Sequence, residues 1–352
     1  MFWAPSFCVK DNNIWFVYGD NNVLLKCNLE NGLVTKIDEL PLETEHGYAY
    51  YETICFDNKI YLIPGYAKNI ICYDLNSNKF KTIKSDFNSS MIFRNAYLIG
   101  NRIYAVPAYN RYFICINAVD ETIKKICDWG EGEEYRARGA DIADSCLIED
   151  NTIIAVIAKT NKILVLDLKK NEITMQSVGD IEIELSGVFY VNETLYVCDS
   201  KNGYVIEYDY KNQEIKGFKS GIIKNAPYKA ETIGDSLIIL TRKDGIDVEE
   251  IKLNSSFEVK NREIFNTNNL LSMYQTCSVY KNKSKEYYFD FQKQTITEFC
   301  DSIINRVVNI KSSEEVLNWY VRTIYEKNSY VRENNNKNLN NFIKFLLINS
   351  TY

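Results

Sequence analysis

Residues 51–83 read YETICFDNKIYLIPGYAKNIICYDLNSNKFKTI. The stretch runs as an apolar strand, a tight Asp57-Asn58 turn, a second apolar strand and a loop. A third strand ending at Tyr73-Asp74-Leu75 and a short alternating strand complete it. Asp, Asn and Gly accept positive φ, which a two-residue hairpin turn demands. Outward from this phrase, the turn recurs at Asp11-Asn12, Gly100-Asn101, Asp150-Asn151, Asn192-Glu193 and Gly234-Asp235. The second strand recurs as NIWFV at 13, KIYLIP at 59, RIYAVP at 102, TIIAVI at 152, TLYVCD at 194 and SLIILT at 236, in steps of 46, 43, 50, 42 and 42 residues. The third recurs as VLLKCNL, NIICYDL, YFICINA, KILVLDL, YVIEYDY and DVEEIKL. The fourth alternates in polarity, as in FKTI, TIKKI, EITMQ and EIKGF, which suits a half-exposed edge. The inner strands are apolar throughout, which suits burial on both faces.

Four antiparallel strands at a spacing of about 45 residues are the blade of a β-propeller. A barrel or doubly wound fold needs helical patterns between strands, and none precedes residue 312. Two tandem β-sandwiches would not require the same phrase six times. The expected fold is therefore all-β, a β-propeller of about seven four-stranded blades over residues 1–310, with the seventh (about 270–309) degenerate. KEYYFDF at 285–291 is open to two readings. As a third strand, with Asp290 in the Tyr-Asp-Leu position, it leaves a second strand missing. As a second strand, it leaves TITEF third and Ser302–Ile310 fourth, joined by a short loop at Gln292–Gln294. The chain starts directly at a first strand, so ring closure is expected to rest with the C-terminal blade.

Residues 311–352 change character into an expected helical appendage. Ser312 with Glu315 matches a capping box. Val316, Leu317, Tyr320, Val321 and Ile324 share one helical face. Leu339, Phe342, Ile343 and Leu346 form a second amphipathic stretch after the Asn334–Asn336 run. Packing against the propeller flank is the simpler expectation, and a docking element the functional one.

The repeat resembles kelch-like β-propellers in outline, although it lacks the Gly-Gly doublet of true kelch repeats and the Gly-His and Trp-Asp pairs of WD40 repeats. It is closer to a group of bacterial β-propellers with phrases such as KIYLIP…ICYDLNSNKF and RGADIADSCLIEDNTI. The resemblance spans roughly residues 7–300 and implies a fold, with no established activity attached.

Composition narrows the chemistry. The 352 residues carry 41 Lys+Arg against 47 Asp+Glu, a net charge of −6, which disfavours a nucleic-acid partner. No apolar run approaches the ~18 residues of a membrane span. With no leader pattern, a cytoplasmic protein is expected, its ten cysteines reduced and mostly buried. They show no C-x-x-C pair and no zinc spacing, so neither metal nor cofactor is expected. One histidine, His46, is too few for galactose-oxidase-type copper and leaves a Ser-His-Asp enzyme resting on that residue alone. Sialidase boxes, a P-loop and a G-x-S-x-G elbow are missing from the sequence. A carboxylate-based glycosidase or lyase stays open, because acids leave no spacing signature.

By fold-level analogy, ligands sit at the channel mouth formed by blade links and second-to-third-strand loops. Those segments supply the candidate ligand-binding residues Glu45, His46, Tyr48, Glu52, Arg94, Tyr109, Arg111, Arg136, Arg138 and Asp141. His46, among Glu43, Glu45 and Gly47, reads first as a solvated loop residue. Arg136 and Arg138 could grip a carboxylate or phosphate bidentately, or neutralise Glu131, Glu133 and Glu134. Asp74, Asp167, Asp209 and Asp290 repeat in phase and read as structural acceptors for turn amides. The expected function is a non-enzymatic binding or scaffold protein for a protein, peptide or glycan partner. The alternative is a carbohydrate-active enzyme using acids at the channel.

Overall fold

Each repeated phrase folds into one four-stranded antiparallel sheet, and there are seven. The computed structural model describes residues 4–18, 22–40, 49–84, 92–108, 111–129, 142–180, 182–220, 227–233, 236–243, 247–254, 256–265, 277–282, 285–291, 293–301 and 303–320. Blade 1 is β1 (Phe7–Lys10) to β4 (Leu33–Glu39), blade 2 β5 (Tyr50–Phe56) to β8 (Lys79–Ile83), and blade 3 β9 (Phe93–Ile99) to β12 (Ile123–Asp128). Blade 4 is β13 (Ile142–Ile148) to β16 (Glu172–Ser177), blade 5 β17 (Leu185–Val191) to β20 (Glu214–Lys219), and blade 6 β21 (Pro227–Ile233) to β24 (Val259–Phe265). Blade 7 is β25 (Cys277–Asn282) to β28 (Ile303–Asn309), and β29 (Lys311–Ser312) follows. Consecutive first strands touch around the whole circuit, from β1 through β5, β9, β13, β17 and β21 to β25 and back to β1.

The seventh blade is complete rather than degenerate. KEYYFD is its second strand, TITEFC its third and Ile303–Asn309 its fourth. Asp290 therefore ends a second strand and is not the counterpart of Asp74. Its first strand, CSVYKN, carries no apolar run to mark it in the sequence.

The core is distributed between the blades. The buried apolar residues form seven clusters, one at each junction. The blade 2–blade 3 cluster packs Tyr61, Ile63 and Ile70 against Ile103, Ile114 and Ile116. Tyr61 is fully buried, and its hydroxyl donates to the Ala118 carbonyl of blade 3 at 2.7 Å. Burying a tyrosine this way requires such an acceptor. Length thus adds blades without enlarging any single core.

The turns follow residue chemistry. Asp11 and Asn12, and Asn192 and Glu193, take positive φ at both turn positions. In blade 4 the positive-φ pair is Glu149-Asp150, one residue earlier than the Asp150-Asn151 expected. Asp74 Oδ1 accepts from the amides of Asn76 (2.9 Å) and Ser77 (2.8 Å), and Asp167 and Asp209 do the same for the residues two and three ahead. Asn28, Asn117 and Asn254 fill the position in other blades.

Ring closure uses the C-terminal end. β29 pairs in parallel with β4, making blade 1 five-stranded. Arg306 on β28 binds the buried Glu298 carboxylate through Nε at 3.0 Å and Nη2 at 2.8 Å. Its other donors reach the Leu29 carbonyl (3.1 Å) and Asn12 Oδ1 (2.9 Å) of blade 1. Ser313 caps the helix at 314–320, its Oγ accepting from the Val316 amide at 3.2 Å. The cap is one residue later than expected because Ser312 belongs to β29. Val316, Trp319 and Tyr320 join the cluster of blades 1 and 7.

One expectation about the cysteines is overturned. Cys8 on β1 and Cys55 on β5 form a disulfide, with Cα atoms 5.8 Å apart. Their separation of 47 residues is close to one blade period, which brings two first strands together.

Gly32 has φ +73°, and a Cβ there would lie 1.8 Å from the Asn309 carbonyl oxygen of blade 7. Gly32→Ala is expected to destabilise the protein by about 3 kcal/mol, read by denaturant unfolding. Burial pushes the Glu298 carboxyl up, but the hydrogen bonds from Lys285, Asn305 and Arg306 outweigh it and hold it below the ordinary carboxylate value. A carboxyl depressed on folding contributes stability above its unfolded pKa of about 4.3 and loses it as pH falls through the folded value. Glu298→Gln is therefore expected to flatten the acid limb of a stability–pH curve below that point.

Candidate functional site

The first strands start at the blade-link end of the channel, and there a defect recurs. In blades 2 to 6 the pairing of first with second strand slips by one residue, at Tyr51, Arg94, Ala143, Ser186 and Tyr228. Such bulges bend a strand and re-aim side chains. Here they ring the mouth.

Immediately after each bulge, opposite the fifth residue of the second strand, stands one residue per blade: Glu52, Asn95, Asp144, Gly187 and Lys229. Ser278 occupies the same place in blade 7. Ser6, one residue ahead of β1, extends the pattern to blade 1. Six of the seven are polar and the other is glycine.

At four of these positions the side chain ties one blade to the next. Ser278 Oγ bonds the Ala4 and Pro5 carbonyls of blade 1 at 3.2 and 2.8 Å. Ser6 Oγ accepts from the Thr53 amide of blade 2 at 2.6 Å. Asn95 Nδ2 donates to Ser145 Oγ at 2.8 Å and Asp144 Oδ1 at 3.3 Å in blade 4. Asp144 Oδ2 accepts from the Val188 amide of blade 5 at 3.2 Å, and Oδ1 from the Ser145 amide at 2.9 Å. The Tyr97 hydroxyl donates to the Ser145 carbonyl at 2.8 Å, and burial pushes its pKa well above the ordinary value. Burial also raises the Cys146 and Cys198 thiols, beside Asp144, so neither is a thiolate at neutral pH.

Of the candidate residues, the structure brings Glu52 and Arg94 to the mouth, at the bulges of adjacent blades. Arg94 is half-buried, with Nε 3.5 Å from the Ile142 carbonyl. Arg111 is not at the channel strands. It lies just before β11 (Tyr112–Asn117) and is held by Asp128 through two contacts of 3.1 Å. Tyr66, 41% exposed, stands 6.2 Å from the ring of Tyr51 on the same face. Glu45, His46, Tyr48, Tyr109, Arg136, Arg138 and Asp141 lie outside the described residues. Sequence reading passed over Asp144, Ser145 and the two channel serines. Their signal was one polar or glycine residue, in the same phase, near the start of each first strand.

Among the described residues, a cavity of about 350 Å³ lies at the opposite, hairpin-turn end, between Glu149, Tyr190, Glu193, Glu207 and Tyr210. It is remote from the mouth. No described group of acidic, histidine or cysteine side chains is arranged to hold a metal ion. No helix among the described residues is long and apolar enough to cross a membrane.

No family model matches the sequence, and no curated protein matches it. Among solved structures, it is similar to virginiamycin B lyase from Staphylococcus aureus, at 14% identity and TM-score 0.59 over 80% of this chain and 90% of that one. It is also similar to Hsv2 from Kluyvelomyces marxianus, at 11% identity and TM-score 0.51 over 88% of this chain and all of that one. A chain of a mitotic checkpoint complex matches at 6% identity and TM-score 0.55, over 88% of this chain and 85% of that one. At these identities the likeness is one of fold: the protein is a seven-bladed β-propeller.

Removing the Asp144 carboxylate leaves the Val188 and Ser145 amides and the Asn95 donor without it. Asp144→Ala is expected to cost about 3 kcal/mol in denaturant unfolding. Asn95→Ala is expected to cost less, because the Asp144 bonds to the two amides persist.

Proposed function

We propose that the protein is a non-enzymatic, kelch-like binding module that takes a protein, peptide or glycan partner at the channel mouth. One observation carries the reading: four of the polar groups just inside the mouth, Ser6, Asn95, Asp144 and Ser278, are engaged in blade-to-blade hydrogen bonds, with Asp144 holding two backbone amides and Asn95. A catalytic acid or base needs a proton path to substrate, and a carboxylate fixed to amides is a poor proton carrier. The neighbouring thiols are protonated by burial and supply no nucleophile. The outer rim instead offers Tyr66, Tyr51 and Arg94, the residue types that dominate binding hot spots. The blade link carrying Arg136, Arg138 and Asp141, and the link carrying Glu45, His46 and Tyr48, belong to the proposed surface by their place in the sequence. Tyr109 and Arg111 extend it along the third blade.

The protein is read as cytoplasmic, from its sequence. In that setting a disulfide is more often redox-responsive than a permanent brace.

Peptide and glycan arrays probed with wild type and with a Tyr66→Ala/Arg94→Ala variant test the proposal. The expected result is specific capture by wild type and a loss of on the order of a hundredfold in the variant, with its melting curve unchanged. Turnover of an arrayed glycan that Glu52→Gln abolishes would instead establish the carbohydrate-active alternative.

A further inference from the structure

Blade 1 is bonded to its two neighbours by different means. Toward blade 7 it has the Ser278 and Arg306 hydrogen bonds, the β29 pairing and the Gly32–Lys311 contact at 2.8 Å. Toward blade 2, β1 and β5 belong to separate sheets with no ladder between them. Between β1 with its leading residue and β5 stand the Ser6–Thr53 hydrogen bond and the Cys8–Cys55 disulfide. A shared apolar cluster, with Trp15, Leu24, Tyr50 and Ile60, packs around them.

We propose that the Cys8–Cys55 disulfide is a reversible redox staple, and that its reduction loosens the blade 1–blade 2 junction and the mouth residues that β5 carries. Position supports this. Cys55 sits three residues beyond Glu52 and four beyond the Tyr51 bulge, so the bond anchors the strand that presents both. Access supports it as well. Cys8 is fully buried, whereas Cys55 is only part-buried, so an attacking thiolate approaches from the Cys55 side. A small thiol such as glutathione attacks Cys55 Sγ as its thiolate. The S–S bond breaks, and Cys8 leaves as a thiolate and takes up a proton. A second glutathione resolves the mixed disulfide, releasing the Cys55 thiol and glutathione disulfide. Two glutathione thiols are oxidised as one protein disulfide is reduced, and glutathione disulfide drives the reverse.

The loosening does not depend on what the mouth binds; only its effect on a partner rests on the reading above. The full chain is compared before and after reduction with glutathione. Alkylation and mass mapping report the thiols, and hydrogen exchange reports residues 50–56 against 142–148 in distant blade 4. Reduction is expected to free the Cys8 and Cys55 thiols and to speed exchange at 50–56 on the order of thirtyfold, leaving 142–148 unchanged. Glutathione disulfide should restore the slow rate. A Cys8→Ala/Cys55→Ala variant should exchange as the reduced protein does and ignore glutathione. Unchanged exchange at 50–56 with both thiols alkylated would overturn the proposal. So would free Cys8 and Cys55 thiols in protein equilibrated with glutathione disulfide. Partner binding measured in parallel separates the two ideas: faster exchange with no change in binding leaves the staple standing and removes β5 from the binding surface.

Discussion

A ring of separate sheets exists only if its last member is joined to its first, and Arg306 makes that joint. Its guanidinium neutralises Glu298 within blade 7 and spends its remaining donors on Asn12 and the Leu29 carbonyl of blade 1. Glu298 is 1% exposed, and a carboxylate so placed is tolerable only with several charged or polar donors. Lys285 and Asn305 supply the others. The rest of the closure is backbone: β29 along β4, and Gly32 without a side chain where the Asn309 carbonyl passes. At each of the other junctions the chain runs from a fourth strand into the next blade's first strand. At the joint between blades 7 and 1 it runs only from β28 into the short β29, and side-chain ions and the helix at 314–320 add to that joint.

The same constraint shapes the channel. Apolar packing fills the space between neighbouring sheets, but near the axis the blades converge and expose strand edges. A polar side chain at one fixed level of the first strand satisfies groups of the next blade there, as Ser278, Ser6, Asn95 and Asp144 do. Burying such groups is tolerable because each finds its partner. The consequence bears on the proposed function. The inner ring ties neighbouring blades together, which leaves the rim of bulges and loops outside it as the proposed recognition surface.

Much of the fold was legible in residues 51–83 because turn chemistry is local. Asp57, Asn12 and Asn192 bend the chain through positive φ wherever they stand, and Asp74 collects turn amides two and three residues ahead. Features that depend on two distant segments were less so. Ser312 matched a capping box, but pairing with β4 claimed it and moved the cap to Ser313. Asp290 resembled Asp74 in its local phrase, yet ends a second strand because Cys277–Asn282 supplies the first. The ion pair of Arg111 with Asp128, seventeen residues on, left no trace in the local phrase either.

The sequence by itself determined the unit, its four strands and the number of units, since periodic apolar strands and positive-φ turns are properties of neighbouring residues. The tertiary structure alone decided which residues meet across blades: Cys8 with Cys55, Asn95 with Asp144, Arg306 with Asn12. Those contacts depend on the angle and depth at which one sheet packs on the next. That geometry is set by the fit of side chains from segments about one blade period apart, or at opposite ends of the chain, and no local pattern records it.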